Sequence, residues 1–188
     1  MVAMTNDDPL ALDDDALLAQ CEVHYYKSSG PGGQHRNKVS SAVRLHHRRS
    51  GVSAHGDDSR SQHDNKKLAL RRLRMNIACQ IRREMDRQTF LDAGPASLPA
   101  HVAECIFTPR GRGEDAPRRL EIGVRDFRFW RVAAFLLDVL HACGGRMADA
   151  AACLGITTGN FSDLLTSERH LLASAQAIRK TNGLKPLS

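Results

Sequence analysis

One loop constrains this chain more than any other stretch: Ser28-Ser29-Gly30-Pro31-Gly32-Gly33-Gln34-His35-Arg36-Asn37-Lys38. Three glycines and a proline within four residues let neither a helix nor a strand run through it. Regular structure has to stop before the loop and start again after it. Glycine also lets another molecule approach the main chain closely. Gln34 is then presented at the tip, with Arg36 and Lys38 just behind it. Backbone N–H groups, one amide side chain and two cations suit an anionic partner whose reacting carbonyl is met at close range.

The flanks read as a small sheet and a long helix. Cys21 to Lys27 alternates and ends in Tyr25-Tyr26, which predicts a strand entering the loop. Val39 to Leu45 predicts a second strand, with Ala42 and Arg44 facing opposite to Val43 and Leu45. Val52 to Ala54 predicts a third, followed by a turn at Gly56-Asp57-Asp58. Ser61 can cap a helix, with Asp64 three residues on as a weak capping box. Leu70, Leu73, Ile77, Ile81 and Met85 form one apolar stripe, predicting that this helix runs to about Arg87.

Charge is unevenly spread. Residues 1–20 hold Asp7, Asp8, Asp13, Asp14 and Asp15 and no Lys or Arg. Residues 23–90 hold fifteen Lys or Arg against five Asp or Glu, a balance of +10. That balance points to nucleic acid as partner of the N-terminal half. Lys66, Lys67 and Arg71, on the first half of the helix, are expected to contact phosphate. In the acidic segment, Asp13 to Asp15 can cap a short helix over Ala16 to Gln20 or form a solvated tail. Residues 1–12 and the 30–37 loop are expected to be the most mobile parts.

Five scattered cysteines without C-x-x-C, in a chain without a secretory signal, favour reduced cytosolic thiols. Cys and His do not fall at zinc-ligand spacing, so neither a structural metal nor a cofactor is expected. No stretch approaches the eighteen apolar residues of a membrane span, and a cytoplasmic protein is expected.

From Leu91 to Pro117 the chain is turn-rich, with candidate strands at Val102–Thr108 and Leu120–Val124 whose attachment to the first sheet stays open. Phe127 to Cys143 begins a helical segment stopped by Gly144-Gly145. Met147 to Leu165 resembles a helix-turn-helix. Ala151 precedes the turn glycine Gly155 by four, and Leu154, Ile156, Phe161 and Leu164 sit where two helices meeting at an angle need apolar packing. The second helix offers Asn160, Ser162 and Asp163 but no cation, which favours a structural or docking role over DNA reading. A last helix is expected over Ser167–Lys180.

The stretch from Tyr26 to Leu73 resembles the catalytic domain of class I peptide chain release factors. The resemblance rests on Ser29-Gly30-Pro31-Gly32-Gly33-Gln34, Asn37, Ser41-Ala42-Val43-Arg44-Leu45 and Arg60-Ser61-Gln62, in that order and spacing. It covers roughly a quarter of the chain. It implies hydrolysis of the peptidyl-tRNA ester, with Gly32, Gly33 and Gln34 as the catalytic residues. The Gln34 backbone N–H would donate to the oxyanion or to the leaving 3′-hydroxyl, and the side-chain amide would shape the water pocket. His35 would face phosphate rather than act as a base. Arg36, Lys38, Arg44, Arg48 and Arg49 would pair with ribosomal RNA phosphates, while Asn37 and Ser41 would hold the base of the loop.

The family's codon-reading members are much longer and carry a Pro-x-Thr or Ser-Pro-Phe tripeptide in a separate domain. Neither tripeptide occurs here, and no space for that domain precedes the loop. The expected protein is therefore a monomeric, codon-independent peptidyl-tRNA hydrolase that binds the large ribosomal subunit and peptidyl-tRNA, not a membrane. The alternative is a non-enzymatic RNA- or DNA-binding regulator using the helix-turn-helix. The expected fold is α+β, a small mixed sheet on one long helix followed by an all-helical segment. The expected organisation is a largely disordered acidic segment over 1–20, a catalytic domain with a turn-rich extension over 21–118, and a helical domain over 119–188.

Overall fold

The computed structural model describes residues 8–27, 40–86, 88, 97–109 and 116–187. They fall into two compact units, 1–80 and 81–188.

The N-terminal unit opens with helix α1 (Asp14–Ala19). The Asp13 carboxylate accepts the Ala16 N–H at 2.8 Å, and Asp14 and Asp15 sit in the first turn, where the helix dipole favours negative charge. Of the two readings of the acidic run, the capped helix is the one found. Leu10 and Leu17 are buried, and Arg74 donates to the Leu12 carbonyl and the Asp14 carboxylate. Residues 8–20 are thus folded against the unit rather than disordered. Residues 1–7 lie outside the described part.

Strands β1 (Cys21–Tyr26), β2 (Ala42–His47) and β3 (Ser53–Gly56) form one sheet in the order β1-β2-β3. Both pairings are antiparallel, so the sheet is simpler than a mixed one. The register places Val23, Leu45 and Ala54 in one row and His24, Arg44 and His55 in the next. Successive side chains alternate between faces. Val43, Leu45 and Ala54 are buried, while Arg44 is exposed. The inner face packs on helix α2 (Gln62–Gln80), whose Ala69, Leu70, Leu73 and Ile77 are buried.

Helix α2 stops short of the expected end near Arg87. The Arg83 N–H is given to the Asp138 carboxylate at 3.1 Å, and the Arg82 guanidinium pairs with the same oxygen. A backbone donor committed to a side chain in this way does not continue the helical ladder. The expected stripe splits accordingly: Leu70, Leu73 and Ile77 are buried, while Ile81 is 36% exposed. The start is capped as expected, Ser61 Oγ accepting the Asp64 N–H. The reciprocal arm is not made, because Asp64 accepts from the Ser59 hydroxyl and the Ser61 N–H turns to Ser59.

The C-terminal unit contains a short helix α3 (Ala100–Ala103), a two-stranded antiparallel ribbon of β4 (Ile106–Phe107) and β5 (Arg119–Leu120), and helices α4 (Phe129–Ala142), α5 (Met147–Leu154), α6 (Thr158–Thr166) and α7 (Arg169–Thr181). Leu98, Val102, Ile106 and Leu120 share one core with Phe129, Leu137, Leu154, Phe161 and Leu171. The turn-rich extension therefore packs with the helices that follow it, and the boundary between units falls at 80/81 rather than at 118/119. Its strands form a ribbon of their own and do not extend the first sheet. Val102, expected in a strand, sits instead in one helical turn opened by Pro99, whose carbonyl takes the Val102 and Ala103 N–H groups. Among the described residues no helix is long and apolar enough to cross a membrane.

Asp138 on α4 is nearly buried and carries a pH-dependent stability term. Its carboxyl is pushed up to about 6, because burial outweighs the pull of Arg82 and of the Arg83 N–H. The folded state then holds the proton more tightly than the unfolded chain, whose value is 3.8. This stabilisation is complete below that unfolded value and is lost as the pH rises to about 6. The two-unit difference corresponds to about 3 kcal/mol. Asp138→Asn keeps an oxygen for Arg82 and Arg83 and removes the titration. Urea unfolding followed on Trp130 should show the loss of stability between about pH 4 and pH 7 in the wild type and a flatter profile in the variant. Coincident profiles would exclude the assignment.

Candidate functional site

The loop leaves the sheet after Tyr26 and re-enters it before Ala42, and these two residues are directly paired across β1 and β2. Both ends of the Gly-Gly-Gln loop are therefore fixed at one end of a three-stranded sheet. Gly32, Gly33, Gln34, Arg36 and Lys38 themselves lie outside the described residues, as do His35 and Asn37.

The returning arm is held from α2. Asn65, wholly buried, donates through Nδ2 to the Ser41 carbonyl and the Ser59 carbonyl, both at 2.8 Å, and accepts the Ser59 N–H through Oδ1 at 2.8 Å. Two acceptors on the nitrogen and one donor on the oxygen admit only one orientation of the amide. Gln62 adds a bond from Nε2 to the Ser40 carbonyl at 3.1 Å. Ser41, expected to support the loop, does so through its carbonyl. Its partner is Asn65, while Gln62, the last residue of the Arg-Ser-Gln motif, holds the Ser40 carbonyl; sequence spacing assigns neither amide this supporting role. Their signal in the sequence is two amides three apart at a helix N-terminus, facing back toward a loop.

Asn65→Ala removes three hydrogen bonds and strands their partners. At about 1 kcal/mol each, the N-terminal unit should lose roughly 3 kcal/mol. Amide exchange at Ser59 should speed up with it, and unchanged exchange there would show that the network is not what holds this segment.

On the departing arm, Tyr26 Oη lies 3.1 Å from His55 Nδ1, with the rings edge to face. Arg72 donates to the His55 carbonyl and pairs with Asp57 and Asp58. His47 is buried where β2 ends, bridging Gln20 and Ser50, and burial lowers its pKa below the ordinary imidazole value. A neutral His47 serves both bonds.

The cations expected to meet RNA divide into two groups. Arg44 stands exposed on the outer sheet face, flanked directly across the strands by His24 and His55. Lys67 and Arg71 are exposed on α2, one turn apart, with His63 a turn before and Lys66 beside them. Arg48 is instead spent on structure, its guanidinium donating to the Ala19 and Cys21 carbonyls. Arg49 lies exposed in the β2–β3 turn. Arg72 and Arg74 are likewise engaged with carboxylates of their own unit.

In the C-terminal unit, α5 and α6 meet at Gly155, which is left-handed at φ 66°, and Thr157 caps α6. The helix-turn-helix resemblance holds in this local geometry. Asn160, however, points inward: it is buried and exchanges two hydrogen bonds with the backbone of Leu120, at 2.8 and 3.0 Å. An amide occupied in pairing β5 is not free to read a base edge.

Residues 16–93 match a family model described as the RF-1 domain. Peptide chain release factor 1 of Mesoplasma florum is 56% identical over 55 residues, covering 29% of this chain and 15% of that protein. Peptide chain release factor 2 of Aromatoleum aromaticum is 30% identical over 119 residues, 62% of this chain and 32% of that protein. Peptide chain release factor 2 of an Acidovorax species is 44% identical over 68 residues, 36% and 18% respectively. The chain thus spans less than a third of the length of these relatives. The matched segment contains the whole three-stranded sheet, both anchors of the Gly-Gly-Gln loop and helix α2, so the part of this chain that is similar to the RF-1 domain of peptide chain release factors is the part that carries the loop.

Proposed function

We propose that this protein hydrolyses the ester of peptidyl-tRNA on ribosomes, without reading a stop codon. The observation that carries the reading is a Gly32-Gly33-Gln34 loop in the segment similar to the RF-1 domain, with its base clamped by the Tyr26–Ala42 pair and by Asn65 and Gln62. The ribosomal peptidyl-transferase centre completes the site. Gln34 supplies a backbone N–H to the oxyanion or to the leaving 3′-hydroxyl, and its amide positions the water. Arg36, Lys38, Arg44, Lys66, Lys67 and Arg71 neutralise ribosomal RNA phosphates, which makes binding steeply salt-dependent. The codon-independent form of the reading is supported by residues 81–188, which build a core of their own and contain neither codon-reading tripeptide.

The test is release of labelled peptide from ribosomes stalled on an mRNA that lacks a stop codon. The expected result is release by the wild type on such ribosomes. Release only when a stop codon occupies the decoding site would overturn the codon-independent form, and no release on either template would overturn the hydrolase.

A further inference from the structure

The turn before α4 carries an aromatic ring with no place in the core. Phe127 is 86% exposed and neighbouring Val124 is 46% exposed, whereas Phe129, two residues on, is buried. A single exposed apolar residue is ordinary. This one is set apart by how firmly its backbone is held. Asp126 N–H donates to the Gly123 carbonyl, Phe129 N–H to the Asp126 carbonyl, and Arg128 N–H to the Asp126 carboxylate at 2.8 Å.

The guanidinium of Arg128 is fixed as well. It reaches Asp126 through Nε at 3.1 Å and through a terminal nitrogen at 2.9 Å, and Glu104 at 3.2 Å. In that position its carbon lies 5.7 Å from the centre of the Phe127 ring. The backbone that carries the ring is therefore preset, and a cation lies beside the ring.

The surrounding charge selects the kind of partner. Residues 118–131 carry Arg118, Arg119, Arg125, Arg128 and Arg131 against Glu121 and Asp126, a balance of +3. Arg128 is consumed in holding the turn, while Arg118 and Arg125 make no hydrogen bond or ion pair among the described residues. An exposed aromatic face on a held backbone, with uncommitted guanidinium groups near it in the chain, is the combination that takes an unstacked base and its phosphate.

We propose that the turn Gly123–Arg128 is a stacking site for one unpaired base of single-stranded RNA, the base lying on the open face of Phe127 and the adjoining phosphate on Arg125. The site lies in the C-terminal unit and is independent of ester hydrolysis.

Binding of a fluorescent oligo-adenylate to the full chain, read by anisotropy, tests it. Lys67→Ala/Arg71→Ala serves as the background, so that contacts from α2 do not mask the effect. Phe127→Ala should weaken binding about tenfold, the scale of one base–aromatic stack. Phe127→Trp should restore it. Arg125→Ala should lower the slope of affinity against salt by about one phosphate contact, which Phe127→Ala leaves alone. Because Phe127 is almost entirely in solvent, its variants should unfold like the wild type, and that measurement accompanies each titration. Equal binding by wild type and Phe127→Ala would overturn the proposal. So would a concentration-dependent dimer in sedimentation that Phe127→Ala dissolves without changing RNA affinity, which would make a second copy the occupant.

Discussion

Gly56→Ala is expected to unfold the N-terminal unit while leaving the C-terminal one intact. A Cβ on Gly56 would run into the backbone carbonyl of Asn65 and come within 3.0 Å of the Ala69 nitrogen. These are atoms of the α2 backbone, so no side chain can swing away. Either the helix lifts from β3 or the strand leaves its register with Val43. Overpacking of a close-packed interior costs about 1–3 kcal/mol when neighbours can adjust, and a fixed backbone puts this case at or beyond the top of that range. The displaced residue is Asn65, so the damage passes directly to the support of the loop. The two tyrosines, Tyr25 and Tyr26, lie in the N-terminal unit and the single tryptophan, Trp130, in the other. The tyrosine transition should move to much lower urea while the tryptophan transition stays where it is. Coincident wild-type and variant tyrosine transitions would mean that α2 and β3 are not in this close contact.

Gly33→Ala is expected to cost a hundred- to a thousandfold in the single-turnover rate of peptide release, with ribosome binding almost unchanged. The reason lies in the proposed chemistry. Losing one preorganised donor to a developing oxyanion costs roughly 3–4 kcal/mol. An added methyl group beside Gln34 either blocks the approach of the backbone to the ester or forbids the angles it needs. Gln34→Ala keeps the main-chain N–H and should retain appreciable hydrolysis while losing selectivity for water over other nucleophiles. Arg71→Ala should weaken binding in a salt-dependent way and leave the saturated rate alone. If Gln34→Ala abolished the saturated rate and Gly33→Ala did not, the side chain would have to replace the backbone in the mechanism.

Much of the first unit is legible in its sequence because period and punctuation agree. The alternation over Cys21–Tyr26 and the Leu70, Leu73, Ile77 spacing each name an element that forms. What escaped prediction depends on tertiary donors and acceptors. Past the last residue of α2, Arg83 gives its N–H to the carboxylate of Asp138, and periodicity through Ile81 and Met85 carries no trace of it. The strand expected over Val102–Thr108 forms only at Ile106–Phe107, and its start at Val102 yields to a proline-opened turn, because a β-branched residue fits a packed core in either conformation. At the site, the cations could be counted in advance but not assigned. Arg44 and Arg71 differ from Arg48 and Arg72 only in what lies within reach, and carbonyls and carboxylates of the same unit claim the latter pair. The clamp on Ser40 and Ser41 was hidden for a related reason. Amides at a helix start read as polar surface until the loop they grip is placed beside them.

The Tyr26–Ala42 pair sets a length scale for the loop. Gln34 is eight residues from Tyr26 and eight from Ala42, the midpoint of a chain whose two ends share one anchor. At about 3.3–3.6 Å per residue, either arm carries the midpoint at most roughly 26–29 Å from the sheet. No other residue of the loop has so long a tether on both sides. Removing one residue from an arm shortens the longest reach by about 3 Å and leaves Gln34 sharing the outermost position with a neighbour. Arm length is therefore a coordinate in its own right: it fixes how deep a recess the Gly-Gly-Gln tip can enter from a docked domain, whatever residues fill the arms.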